Sequence, residues 1–285
     1  MLDPCTVHLA LTEAERRLAP LHDGARLDAE LLLAFALDRP RSHIHAHPEQ
    51  ALTPPQRARF DDLIQRRAAG WPVAYLTGRR EFWSLDLEVT PDTLIPRPET
   101  ELLVERTLRH LPPDSEARVA DLGTGSGALA LAIARERPRA RVVASDVSEP
   151  ALAVARANAA RLGINNVAFR AGDWCAALGG ERFDVIASNP PYVPRGDPHL
   201  TRGDLRFEPL IALAAGPDGL DALRRIAFHA RRHLIPDGWL LLEHGYNQET
   251  GVRQLLMRYG YRDVTDHRDA AGHGRVCEAR RPPEF

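Results

Sequence analysis

The sequence predicts an α/β chain: a doubly wound, mostly parallel sheet, preceded by a small helical domain that a β-hairpin joins to it. Three observations carry this. From about residue 99 onward, short apolar runs alternate with helical stretches, the pattern of a parallel sheet with right-handed crossovers. Up to about residue 80, the apolar spacing is helical. Between the two, Trp83, Leu85, Leu87 and Val89 alternate with Ser84, Asp86 and Glu88, the period of a half-buried strand.

The elements follow in order. Leu27, Leu31, Leu32 and Phe35 repeat at helical spacing, with Asp28 placed to cap that helix. Thr53-Pro54-Pro55 starts another, because Thr suits the N-cap and Pro is tolerated in the first turn. Phe60, Leu63 and Ile64 form its apolar stripe, and Gly70-Trp71-Pro72 stops it. Pro91, Pro96 and Pro98 stiffen the segment after the hairpin. Helices are then expected over residues 99–111, 128–137, 150–162, 220–234 and 248–259. Strands are expected over 118–122, 141–145, 167–171, 183–188 and 239–243, with 262–266 and 276–280 as a closing antiparallel pair. This divides the chain into a helical domain over 1–80, a hairpin and linker over 81–98, and a sheet domain over 99–285.

Composition narrows the function. A chain of 285 residues, 44% hydrophobic, has room for one large and one small domain. A net charge of −2 gives no global basic field of the kind that drives non-specific nucleic-acid binding, so direct nucleic-acid binding is not expected. The basic residues are all arginine, which carries no functional weight here. Cys5, Cys175 and Cys277 are odd in number, far apart and without a Cys-x-x-Cys pair, which argues against a disulfide framework or a zinc site. A reducing cytoplasm fits best. No apolar run approaches the roughly 20 residues of a membrane helix, and no secretory signal is visible, so no membrane partner is expected.

Two motifs carry chemistry. Gly123-Thr124-Gly125-Ser126-Gly127 lies between a strand and a helix, where small residues allow close backbone approach and the helix offers free N–H groups to a nucleoside cofactor. The spacing is not that of the dinucleotide fingerprint, and such a loop can also be a plain tight turn. Asp146 ends the next strand, at about the 20-residue distance of an acid that binds ribose hydroxyls. Asp121, just before the loop, either orients it or meets the cofactor's ammonium group. After the third strand, Trp174 is placed to pack on an adenine and Asp173 to accept from its amino group; an ordinary buried Trp is the alternative.

The second motif is Asn189-Pro190-Pro191-Tyr192, at the end of the fourth strand. Asn189 Oδ1 and the Pro190 carbonyl are two acceptors side by side, suited to the two hydrogens of a planar NH2 group. The prolines stiffen the corner, and Tyr192 offers a face for stacking. With the glycine loop upstream, this suits methyl transfer from S-adenosylmethionine to an NH2 group, without saying which. His43, His45 and His47 alternate, but no carboxylate or Cys set completes a metal site, and none is expected. His244, after Glu243 at the fifth strand end, is expected to face the crevice, where it either assists or is a satisfied structural histidine.

These residues resemble the PrmC/HemK-type methyltransferases, which modify peptide-chain release factors on a glutamine side-chain nitrogen. The similarity runs through Glu81-Phe82-Trp83-Ser84-Leu85, Leu94-Ile95-Pro96-Arg97-Pro98-Glu99-Thr100-Glu101, Asp121 to Gly127, Gly172-Asp173-Trp174, Ser188 to Tyr192, Arg206-Phe207-Glu208-Pro209-Leu210 and Glu243-His244-Gly245-Tyr246. Asn-Pro-Pro-Tyr alone is shared with adenine-N6 DNA methyltransferases, whereas the Ile-Pro-Arg-Pro-Glu-Thr segment is far more specific. The resemblance implies a seven-stranded Rossmann-like methyltransferase sheet and a helical domain that docks the substrate. It implies cofactor contacts at Gly123, Thr124, Gly125, Ser126, Gly127, Asp146, Trp174 and Asn189, and substrate contacts at Asn189, Pro190, Pro191 and Tyr192. Asn189, Pro190 and Tyr192 would then be catalytic. Phe82, Arg97, Glu99 and Thr100 would lie near the site. The substrate would be the Gln of a Gly-Gly-Gln loop. Ala214-Ala215-Gly216-Pro217 departs from the family pattern and is expected to be peripheral. The alternative function is methylation of an exocyclic adenine or guanine amino group in nucleic acid.

Overall fold

The computed structural model describes residues 5–20 and 23–283, and the chain forms two compact units, Met1–Arg79 and Arg80–Phe285. The first contains α1 (Val7–Leu18), α2 (Ala25–Leu37), α3 (Arg41–Ala46), α4 (Pro54–Ala68) and α5 (Val73–Thr77). Thr53 caps α4 in a full capping box with Gln56. Leu11, Leu18, Leu32, Leu33, Phe60 and Ile64 close a small core. Two expectations for α2 are corrected. Gly24, not Asp28, is its N-cap, and Asp28 instead accepts from Arg67 Nε at 2.6 Å. Leu27 and Leu31 are 45% and 37% exposed, because the helix buries the Leu32/Leu33 side against α1 and α4.

The second unit opens with a hairpin, β1 (Arg79–Phe82) and β2 (Leu85–Glu88). Trp83, expected in the strand, is in the turn: Trp83 and Ser84 both adopt positive φ, +51° and +57°. That two-residue turn matches the twist of the strands it joins. Glu101 and Glu81 hold it by accepting from the Trp83 and Ser84 backbone N–H groups at 2.9 and 2.6 Å.

The sheet contains β3 (Arg118–Leu122), β4 (Arg141–Asp146), β5 (Val167–Ala171), β6 (Phe183–Ser188), β7 (Leu234–Glu243), β8 (Arg262–Arg268) and β9 (Gly274–Arg280). Its order is β5-β4-β3-β6-β7-β9-β8, with β9 antiparallel to both neighbours and the other described pairings parallel. The helices are α6 (Glu101–Arg109), α7 (Ala128–Glu136), α8 (Glu149–Leu162), α9 (Asp221–His233) and α10 (Glu249–Arg258). Strand alternation splits the core in two. Val119, Val185 and Leu241 pack with α6 and α7, while Ala120, Ile186 and Leu242 pack with α9 and α10. Strand order reverses between β3 and β6, which opens a crevice at their C-terminal ends. No described helix is long and apolar enough to cross a membrane.

Candidate active site

Asp121 of β3 pairs in register with Ala187 of β6, so the loops after Leu122 and Ser188 leave the sheet side by side. The Ser188 hydroxyl donates to the Leu122 carbonyl at 2.6 Å and ties the two strand ends together. The two motifs of the sequence therefore meet at the switch point.

The glycine loop is held from three sides. Gly123 and Thr124 N–H groups donate to the Ser145 carbonyl at 2.8 and 2.9 Å. Gly125 N–H donates to Asp146 Oδ2 at 2.9 Å, and Asp146 Oδ1 accepts from Ser148 N–H at 2.9 Å. The Thr124 hydroxyl donates to Asp121 Oδ2 at 2.6 Å. Of the two roles open for Asp121, orienting the loop is the one seen. Its carboxyl is fully buried, and burial pushes it up to about 7, with Asp146 nearby adding to the rise. Gly123 has φ +78°, and a Cβ there would lie 3.0 Å from the Trp174 ring. Gly127 also has positive φ, +89°, and a Cβ would lie 3.2 Å from that of Ala155, so its smallness serves the α7–α8 contact.

A cavity of about 390 Å³ lies over this crevice, within the range of small-molecule sites. Gly123, Gly125, Asp146, Trp174, Asn189 and Pro191 line it. A smaller pocket of about 50 Å³ beside it is lined by Thr100, Asp121, Thr124, Ser126 and Asn189. Of the cofactor and substrate contacts expected from the sequence, Gly127, Pro190 and Tyr192 line neither. Pro190 is buried. The Tyr192 ring packs against the α9–α10 side of the core, and its hydroxyl donates to Glu243 Oε1 at 3.3 Å. Phe82 is 1% exposed in the core with Leu85 and Leu87, so it does not reach the site. Asp173 lines the main cavity together with Arg225, with which it forms an ion pair. Ala214, Ala215 and Gly216 line the main cavity, which corrects their reading as peripheral. They are drawn in because Val193, just past the Asn-Pro-Pro-Tyr corner, pairs with residues 213–215 at 2.9 Å in both directions.

The segment 94–100 is fastened over the site. Arg97 forms an ion pair with the buried Glu208, which also accepts from Ile95 N–H at 3.1 Å. Asn189 Nδ2 donates to the Thr100 hydroxyl at 3.0 Å. Glu243, at the end of β7, is a functional candidate that motif reasoning placed only within a stretch of resemblance. It is 1% exposed, and burial pushes its carboxyl up to about 7 against the opposing pull of Thr100, Arg275 and Tyr192. Burial also raises the Tyr192 phenol. His244 is buried, with Nδ1 2.9 Å from the Gly245 carbonyl and Nε2 2.6 Å from Asp266 Oδ2, a structural placement. His43 bonds Gln50 at 2.8 Å, and His45 lies 3.4 Å from Glu30.

A seven-stranded sheet with one reversed strand, a glycine loop after its first strand and an Asn-Pro-Pro-Tyr corner after its fourth defines an α/β methyltransferase. Comparison with known proteins agrees. The PrmC N-terminal domain family matches residues 10–78, and the methyltransferase small domain family matches residues 99–202. The release factor glutamine methyltransferase of Pseudomonas aeruginosa is 54% identical over 90% of this chain and 93% of its own length. The Coxiella burnetii protein of the same name is 48% identical over 95% of this chain and 98% of its own. Among solved structures, the Thermus thermophilus 16S rRNA N2 G1207 methyltransferase in complex with AdoMet and guanosine superposes with a TM-score of 0.54. It is 21% identical, covers 71% of this chain and 49% of its own, and speaks for the fold alone. The chain belongs to the release factor glutamine methyltransferase family.

Proposed function

We propose that this enzyme transfers a methyl group from S-adenosylmethionine to the side-chain amide nitrogen (N5) of the glutamine in the Gly-Gly-Gln loop of peptide-chain release factors. The observation that carries the reading is the placement of Asn189 in the wall of the same cavity as Gly123 and Asp146. The relatives named above supply the substrate class.

The residues present fit the cofactor. The missing side chain at Gly123 lets the Trp174 ring pack onto the loop, so that both line the cavity; Asp146 offers a carboxylate suited to ribose hydroxyls, and the cavity has the right size. Gly123, Thr124, Gly125, Ser126, Asp146, Trp174 and Asn189 would hold it, with Gly127 letting α7 and α8 pack together behind the loop. When bound, it supplies an electrophilic methyl group on sulfur. An amide nitrogen is a poor nucleophile, because its lone pair is delocalised into the carbonyl. Asn189 Oδ1 and the Pro190 carbonyl accept its two N–H groups and hold it in one orientation. The same acceptors stabilise the positive charge that grows on nitrogen during transfer. Pro191 keeps the corner stiff, and Tyr192, anchored on Glu243, backs it. The proton leaves late, to water.

A single amide supplies little binding energy, so a remote contact with the protein substrate must position it. Residues 1–80 serve as that docking domain. Methylation of nucleic-acid amino groups is not favoured, since the relatives carry the release-factor name. Labelled cofactor offered to release factor, its Gly-Gly-Gln→Gly-Gly-Ala variant, free glutamine and duplex DNA separates these readings. Label should enter only the unmodified release factor. Labelling of the Ala variant would exclude that glutamine, and efficient labelling of DNA would put the nucleic-acid reading first.

A further inference from the structure

Leu94 lines both the main cavity and the smaller pocket beside it, so the segment 94–100 forms a wall next to the glycine loop and Asn189. We propose that Glu208 is a positioning residue for methyl transfer: its buried carboxylate clasps this segment and so fixes the space in which the two reactants meet. The assignment rests on the reading of the cavity as the place where cofactor and glutamine amide come together.

The segment cannot hold itself. Pro96 and Pro98 have no N–H to donate. Residues 94–96 make no main-chain to main-chain hydrogen bond among the described residues. Glu208 supplies a bond on each side of Pro96. Its Oε2 accepts from Ile95 N–H at 3.1 Å, and its Oε1 accepts from the Arg97 guanidinium. From the hairpin, Arg80 Nε donates to the Pro96 carbonyl at 3.2 Å. The Glu208 side chain has no solvent exposure, whereas that of Arg97 keeps 30%. A carboxylate so buried is tolerated only when paired and hydrogen-bonded, so the two contacts stand or fall together.

Glu208 stands on a fixed frame. Its N–H donates to the Leu205 carbonyl at 3.1 Å, and Pro209, Ile211 and Ala212 after it line the main cavity. Residues 213 and 215 then bond Val193, just past the Asn-Pro-Pro-Tyr corner, at 2.9 Å. Glu208 thus joins the 94–100 wall to the frame that carries the corner. The far end of the same wall meets the corner directly, where Asn189 Nδ2 donates to the Thr100 hydroxyl at 3.0 Å. Transfer from sulfur to nitrogen needs the reactants in line, and a shift of about 1 Å in such a wall can slow it on the order of a hundredfold. A brace that served folding alone would be felt in stability and would leave the turnover of folded enzyme unchanged.

The test compares wild type, Glu208→Ala, Glu208→Gln, Arg97→Ala and the Arg97→Ala/Glu208→Gln double variant. Methylation of full-length release factor is measured at saturating cofactor, beside urea midpoints and hydrogen exchange of the Ile95 amide. Glu208→Ala and Arg97→Ala should each lower kcat roughly tenfold or more, with the KM for release factor within about threefold. Glu208→Gln keeps an acceptor for Ile95 N–H and should retain more activity than Glu208→Ala. The double variant should be no slower than Arg97→Ala alone, because the unpaired buried charge is gone. Exchange at Ile95 should quicken by about tenfold or more in Glu208→Ala. Folded variants with wild-type kcat and only a lowered urea midpoint would make Glu208 a brace of the fold and overturn the assignment. Losses that multiply in the double variant, or Ile95 exchange unchanged in Glu208→Ala, would overturn it as well. Arg97 is partly exposed, so its substitution tests the clasp even if Glu208→Ala does not fold. A wild type that leaves release factor unlabelled sinks the substrate reading and this assignment with it, whereas active wild type with insensitive variants sinks this assignment alone.

Discussion

Asp121 shows how one buried carboxylate ties the cofactor loop to pH. It is 1% exposed and accepts from Thr124, yet burial still lifts its carboxyl from 3.8 to about 7. A raised folded value means that the fold favours the protonated form. The resulting stability is fully present below about pH 4 and is lost as pH rises through about 7. Asn at this position keeps the acceptor for Thr124 but never ionises. Asp121→Asn should therefore gain stability relative to wild type between pH 5 and pH 8, by on the order of a few kcal/mol at most. Urea midpoints at the two pH values check this; a difference that stays constant or moves the other way would show that the buried charge is compensated. The motif placed Asp121 before the glycine loop, but its burial depends on the neighbouring strands and could not be read from the motif.

At the scale of elements, strands and caps with local causes were legible. The Thr53-Pro54-Pro55 start, the glycine stop at residue 70 and all seven sheet strands follow from short-range patterns, and α4 and the sheet have those features. The β1–β2 turn differs from the alternation expected there, because Trp83 continues the apolar pattern while the turn is decided by partners on other elements. Trp83 Nε1 donates to Glu136 at 3.0 Å, and its backbone donates to Glu101. Such anchors hold two non-glycine residues in the left-handed region, which carries a cost. Ser84 is exposed and has φ +57°. Ser84→Gly should accordingly stabilise the protein by roughly 1 kcal/mol, the left-handed penalty removed less the extra freedom of the unfolded chain. Denaturant unfolding would show it, and a loss of stability would mean that the Ser side chain contributes to the turn.

For the whole molecule, the division into Met1–Arg79 and Arg80–Phe285 separates the helical unit from every residue that lines the main cavity. The helical unit closes its own core around Leu32, Leu33, Phe60 and Ile64 and leaves Leu9, Leu27 and Leu31 exposed. If it docks the protein substrate, deleting residues 1–79 should leave cofactor affinity within about threefold while methylation of release factor falls by at least about tenfold in kcat/KM. Calorimetry with the cofactor comes first, to show that the shortened chain folds. A folded truncation that methylates full-length release factor normally would remove docking from the role of this unit.

The class of fold, the place of the glycine loop and the Asn-Pro-Pro-Tyr corner, and the acid at Asp146 are legible from the residues alone. Those features are written in strand periods, turn residues and contiguous motifs, which are local. How they come together depends on contacts made in the folded chain. Thr100 reaches Asn189, Glu243 lies behind Tyr192, Glu208 pairs with Arg97, and Ala214 to Gly216 become cavity wall. These contacts join residues far apart in the chain, and their chemistry arises from burial and from the direction of each hydrogen bond. Both exist only once the β3, β6 and β7 ends are brought to one crevice by the strand order.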